Sequence, residues 1–227
     1  MSFDSKFGKP VKDDAMKGRI SKMKTKGKKL LIVFLILVMV LSFSTISFAD
    51  SGTVTVSVTY GSFNTTGAYT GSGFTNLNFN ISDYEMNIDD IQDLVDFGLK
   101  ETFYLPVTDP MGGQASVLDA ILVAFLENGY DEIDAGWDGW STPNGGYISN
   151  VLPQTITYNP PTYYEGPNGN KWGHATGTGW NVAYTQDGDI KGADVYASNV
   201  ALEDDMEIVF DISPYAMDWD TGMPWTE

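Results

Sequence analysis

The chain has 227 residues, 13 Lys and Arg against 30 Asp and Glu, a formal net charge of −17, one His and no Cys. The lack of Cys excludes disulfides and thiol nucleophiles, and a single His excludes a His-rich metal centre or a Cys–His dyad. Ten of the cations stand before residue 30 (Lys6, Lys9, Lys12, Lys17, Arg19, Lys22, Lys24, Lys26, Lys28 and Lys29), so everything after them is more acidic than the total implies.

The basic stretch runs into an apolar one, Leu30 to Leu41, with a weaker continuation to Phe48, and then Ser47-Phe48-Ala49. Basic, apolar and small-x-small, in that order, is the pattern of a secretory leader. Residues 1–49 are therefore read as a signal peptide, with a mature N-terminus at Asp50. The alternative is a retained anchor, since residues 30–49 reach the length of about 20 that spans a bilayer; Ser42, Ser44, Thr45 and Ser47 make its second half polar. In both cases the basic end stays inside and the remainder is exported, to be secreted or held at the cell surface.

Beyond the leader, Asp4, Asp13 and Asp14 are gone with the ten cations. The 30 acids become 27 and the 13 cations become Lys100, Lys171 and Lys191, a net charge of −24. Such a surface repels phosphate backbones, so nucleic acid is excluded as a partner, and anionic lipid is a poor one. Membrane contact is expected only through the N-terminal segment if it is uncleaved. Residues 50–227 suit one domain with a core of its own.

Thr53 to Tyr60 alternates Val54, Val56 and Val58 with polar residues, the signature of a half-buried strand. A Gly/Thr/Asn-rich loop follows over 61–73. Phe74, Leu77, Phe79 and Ile81 predict a strand over 74–82, and Ile88, Ile91, Leu94, Val95 and Leu99 predict a short helix from Asp89 to Leu99. Thr102 to Val107 reads as a strand closed by Thr108-Asp109-Pro110. Ser116 to Asn128 is the clearest helix. Ser116 and Asp119 open it as a capping box and Gly129 stops it; Val117, Leu118, Ile121, Leu122, Phe125 and Leu126 give it a wide apolar face to lay on a sheet.

The remainder reads as strands and long loops: a strand at Gly146 to Val151, a Pro-, Gly- and Tyr-rich loop over 152–178, a strand at Trp180 to Tyr184 turning at Gln186-Asp187-Gly188, and final strands at Tyr196 to Ala201 and Glu207 to Ile212. No internal repeat is visible. The fold class expected is α+β, one main helix packed on a mixed or antiparallel sheet, with long loops.

Little in the chain suggests catalysis. A Ser/His/Asp triad would have to use His174, and no G-x-S-x-G elbow supplies the Ser. No pair of carboxylates stands out for glycosidase work, so the chain is read as non-enzymatic, with no cofactor and no assigned metal ligands. Asp187-Gly188-Asp189 with Asp194 has the carboxylate spacing of a calcium loop, but Lys191 falls where the third oxygen ligand belongs; an Asp-Gly hairpin turn is the simpler reading. Asp204-Asp205 reads as a turn before the last strand.

The aromatics are the stronger signal. Trp137 and Trp140 bracket Asp138-Gly139, Tyr163-Tyr164 sits in the Pro-rich loop, and Trp172 precedes His174. Rings in Gly-rich loops either pack the loops or form flat surfaces for sugars and other planar ligands.

The order of four motifs is familiar: Ser116-Val117-Leu118-Asp119-Ala120-Ile121, Gly146-Tyr147-Ile148-Ser149-Asn150-Val151, Gly177-Thr178-Gly179-Trp180, and Tyr196 through Val209. Over about residues 102–212 the chain resembles the transcobalamin-like C-terminal domain, to which bacterial surface proteins carry relatives of largely unassigned function. The resemblance implies a β-grasp fold, a helix cradled by a sheet, and places Tyr147 and Trp180 at the family's motif positions. In vertebrate members the domain covers one side of a bound cobalamin beside a helical barrel. No such barrel accompanies this chain, the family's turn into the last strand is replaced by Asp205-Met206, and residues 61–100 are an insertion without counterpart.

The expectation is thus an exported binding module for a small ligand, corrinoid-like or glycan, with Tyr147, Trp180, Trp172, Trp140 and Trp137 as the binding residues. The alternative is an adhesive surface protein contacting other proteins.

Overall fold

The computed structural model describes residues 52–71, 77–105, 109–139, 144–192 and 195–226. The leader reading of residues 1–49, Trp140, and the Asp194 end of the proposed acidic loop lie outside them. No helix among the described residues is long and apolar enough to cross a membrane.

Valine alternation does what it predicts. Val54, Val56 and Val58 of β1 (Thr53–Tyr60) are buried, while Thr53, Thr55 and Ser57 on the other face are half-exposed. Parallel pairing sets these valines beside Met206, Ile208 and Phe210 of β8 (Met206–Pro224), a strand of 19 residues. Antiparallel pairing sets Phe210 and Ile208 beside Val182 and Tyr184 of β6 (Asn170–Gln186), a strand of 17. β2 (Tyr84–Asn87) joins the free side of β1, β5 (Thr162–Glu165) joins the far end of β6, and β7 (Asp189–Gly192) returns along β6. The sheet is mixed, and the protein is α+β. β3 (Ile133–Asp138) and β4 (Gly145–Val151) form a separate antiparallel hairpin.

Three helices accompany the strands among the described residues: α1 (Ile88–Asp96), α2 (Leu99–Phe103) and α3 (Val117–Glu127). Ser116 caps α3 in a full capping box with Asp119, and Gly129 ends it at φ 83°. All ten residues from Val117 to Leu126 are buried, so the helix is enclosed all round rather than amphipathic. Its Phe125 ring meets Phe79, Tyr130, Trp180 and Phe210 edge-on, and this aromatic cluster is the centre of the core.

One of the three cations that follow residue 49 is internal. Lys100 is 2% exposed; its ammonium lies 3.0 Å from Asp109 and 3.7 Å from Asp119 and donates to the Gln114 carbonyl. Asp119 also accepts from the Tyr104 hydroxyl at 2.9 Å and the Ser116 hydroxyl at 2.7 Å. The network ties α2, the 109–114 turn and the start of α3 together. A buried charge so fully partnered is tolerable; stripped of a partner it is not.

Four expected elements differ. Thr102 to Val107 is not a strand through its described part: Gly98 turns left-handed at φ 105° and α2 restarts the helical path through Phe103, held by Thr102 Oγ1 donating to the Gly98 carbonyl. β-prone residues here yield to the Lys100 anchor. The described part of 74–82 makes no ladder, although Phe79 and Ile81 are each 1% exposed; their alternation records burial, and the strand comes later, at β2. Tyr196 to Ala201 is a 3-10 turn at Ala197–Asn199 with one bridge from Ala201 to Ser116. The loop expected over 152–178 contains β5 and the outer half of β6. Its glycines serve close packing: a Cβ at Gly173 would stand 2.3 Å from the Trp219 ring, and one at Gly177 3.0 Å from that of Tyr215. Asp187 and Gly188 do form the two-residue hairpin turn, at φ 55° and 81°, between β6 and β7.

Candidate functional site

Between β4 and β6 lies a cleft of about 250 Å³, with Tyr147 and Ile148 on the β4 side, Trp180 and Val182 on the β6 side, and Leu118 and Phe210 among its lining. The β6 wall is a strand edge with a gap in its pairing. β6 is covered by β5 up to His174 and by β7 from Ala183, and Thr178 is the last residue before the gap to bond outward, to the Thr157 carbonyl.

Trp180 enters from the helix side of the sheet. Its ring stacks on Phe210 at 4.4 Å and 5°, and meets Phe125 edge-on at 6.4 Å. The indole N–H is buried and has no acceptor among the described residues. An orphaned buried donor costs roughly 1–3 kcal/mol, so a group that supplies an acceptor there is favoured. Tyr147 is 42% exposed and lies across Gly136 on the neighbouring strand, with its hydroxyl 3.1 Å from where a Cβ of Gly136 would stand.

Two glycines make β4 thin enough for this arrangement. A Cβ on Gly145 would come 2.3 Å from Tyr196, and one on Gly146 2.3 Å from the Tyr104 ring. Gly146 N–H donates to Ser198 Oγ at 2.7 Å, and the Tyr196 hydroxyl donates to Asp138 Oδ2. The strand is gripped between Tyr104 and Tyr196, and the 3-10 turn is thereby tied to the hairpin. Tyr196 and the Gly145-Gly146 pair are site residues that the sequence reading missed; the adjacent glycines beside an aromatic were the available signal.

Of the five expected binding residues, the structure brings two together, Tyr147 and Trp180. Trp137 is on β3, not in a loop. It pairs with Gly146, on the hairpin face opposite Tyr147, and is not among the residues that line the cleft. Trp172 is also on a strand, eight residues from Trp180 along β6, which is roughly 26 Å at about 3.3 Å per residue. It packs over Gly166 and donates to Asn168 Oδ1 at 3.1 Å. Trp140 lies outside the described residues. The single expected aromatic face is therefore corrected to a two-residue cleft plus a separate distal group.

His174 also belongs to the distal group. Its Nδ1 is 2.9 Å from Asp218 Oδ1, to which Tyr164 donates at 3.1 Å. The His174 and Tyr164 hydrogen bonds hold the Asp218 carboxyl below the ordinary range. The Gly222 N–H, with Asn170 and Asn168, does the same for Asp220. Both carboxylates are ionised at neutral pH. Among the described residues no three His, Asp or Glu side chains gather as a metal site.

No family model, curated protein or solved structure matches the chain.

Proposed function

We propose that the chain is an exported, non-enzymatic binding module that takes a small neutral or cationic ligand in the cleft between β4 and β6. The observation that carries this reading is the buried, unpaired N–H of Trp180 in a cleft whose other wall presents a half-exposed Tyr147. Together they offer aromatic surface beside a polar group that lacks a partner, a composition common in small-ligand sites. The acidic balance beyond the leader, 27 acids to three cations, disfavours anionic ligands. A single buried helix laid on a mixed sheet supports the β-grasp reading, and the meeting of Tyr147 with Trp180 supports the kinship with the transcobalamin-like C-terminal domain. At about 250 Å³ the cleft takes a sugar-sized group or the edge of a larger planar molecule, such as a corrinoid.

The test is a thermal-shift screen of the exported protein against cobamides, sugars and Ca²⁺, followed by titration calorimetry of any hit. Tyr147→Ala is expected to weaken binding at least tenfold, and Trp172→Ala to leave it unchanged. Loss with Trp172→Ala alone would move the site to the distal ribbon and sink the cleft reading.

A further inference from the structure

Beyond Ile212, where β1 ends, the one strand paired with β8 among the described residues is β6, and the 61–65 segment touches its other side at Ser213 and Ala216. Pro214 has no N–H, so its pair with Thr178 is a non-hydrogen-bonded one, and the even-numbered residues of β8 direct their N–H and C=O groups outward. Ala216 N–H confirms the parity by donating outward to the Thr65 carbonyl at 3.4 Å. The next outward groups, the N–H and C=O of Asp218 and Asp220, have no backbone partner among the described residues. This edge also has two chemically distinct faces. Asp218 and Asp220 lie on one, both ionised; Tyr215, Met217 and Trp219 lie on the other, with Met217 55% exposed.

We propose that the outer edge of β8 docks an extended segment of another protein by strand addition, in which Lys or Arg alternates with apolar residues. Backbone pairing to Asp218 and Asp220 supplies the attachment, and alternate side chains read the two faces. The charge selects the occupant. A second copy of this chain paired on the same edge about a twofold would set Asp218 against Asp218, and like charges directly opposite are destabilising. A segment with cations at alternate positions meets both carboxylates and lays its apolar residues on Met217 and Trp219. The surface is separate from the cleft and does not depend on that reading.

The probe is a capped, fluorescein-labelled decapeptide of alternating Lys and Val, titrated into the purified full-length chain in mild detergent and followed by anisotropy. Hydrogen exchange is read at single amides. Binding is expected to protect the Asp218 and Asp220 amides, and to weaken at least tenfold when alternate peptide nitrogens are methylated or Asp218→Asn and Asp220→Asn are combined. Equal binding of the methylated peptide reduces the effect to charge and overturns the proposal, as does equal binding of a Glu-for-Lys peptide or the absence of binding. Overturning it from the other side would be a dimer of the chain that protects the same two amides.

Discussion

β6 and β8 run through two environments. From Trp180 to Gln186 and from Met206 to Ile212 they form the middle of the sheet, with α3 across one face and Met206, Ile208, Phe210 and Ile212 each at most 2% exposed. From Asn170 to Gly179 and from Ser213 to Pro224 the same two strands continue as a ribbon flanked by β5, with isolated backbone contacts from Thr157 to Thr178 and from Thr65 to Ala216. The inner part is held by burial. The outer part is held by rings laid over glycines, by Lys171 standing 4.1 Å over the Tyr163 ring, and by carboxylates on Asn, His and Tyr. An element with so few buried apolar contacts belongs to the low end of local stability. The difference separates a preformed cleft at the inner end from an exposed strand edge at the outer one.

The sharpest way to test the division is to cut the inner support. Phe125 touches four other rings, and Phe125→Ala is expected to lower unfolding free energy by about 3–5 kcal/mol. Denaturant melts would show it as a shifted midpoint. A loss under roughly 1 kcal/mol would mean that the ring cluster is not the centre of the core.

The buried cation is next. Lys100→Met keeps the stem and removes the charge from Asp119 and Asp109, with an expected loss of about 3 kcal/mol, since an unpaired buried carboxylate is left behind. Lys100→Met paired with Asp119→Asn should recover part of it. If the double variant is no better than the single one, the network holds no coupled charge.

How much of this was legible depends on which force decides each element. β1, α3 and the inner strands were readable because burial writes a period into the sequence: valines at every second position, and a capped apolar run ending at Gly129. The outer ribbon was not. Gly173, Gly177 and Gly179 look like loop residues, yet they are strand positions whose missing Cβ makes room for Trp219 and Tyr215. The same rule hid β4's role, because Gly145 and Gly146 are defined by what lies across them. Tyr147 and Trp180, which line one cleft, were singled out through motif order. Trp137 and Trp172 were misplaced for the opposite reason: glycine neighbours suggested loops, whereas both stand on strands, Trp137 on β3 and Trp172 eight residues along β6 from Trp180.

A milder variant separates ribbon from core. Gly173→Val would put a side chain onto the Trp219 ring, where a Cβ stands 2.3 Å away. The expected result is faster amide exchange in residues 170–176 and 214–220, with the global denaturant midpoint changed by less than about 1 kcal/mol. If the whole domain melts early instead, the ribbon and the core are one cooperative unit and the two-environment description fails.

The smallest effect is electrostatic and lies in acid. Burial alone would raise the Asp109 carboxyl, but the hydrogen bond from Lys100 and those from the Met111 and Gly113 N–H groups outweigh it and hold it below the ordinary range. A carboxyl depressed in the folded state contributes stability that is fully present above its unfolded value, about 3.9, and is lost as pH falls through the folded one. Relief of repulsion among the other acids acts in the opposite direction above that window, so the wild-type profile alone does not isolate the contribution. The difference between wild type and Asp109→Asn does. That difference should be constant from pH 7 down to about pH 4 and shrink below it, because in strong acid both chains carry a neutral group at this position. Chemical melts at pH 7, 5, 4, 3 and 2.5 would measure it. A difference that persists unchanged to pH 2.5 would show that Asp109 supports the 109–114 turn through shape alone, with Lys100 drawing its compensation from Asp119.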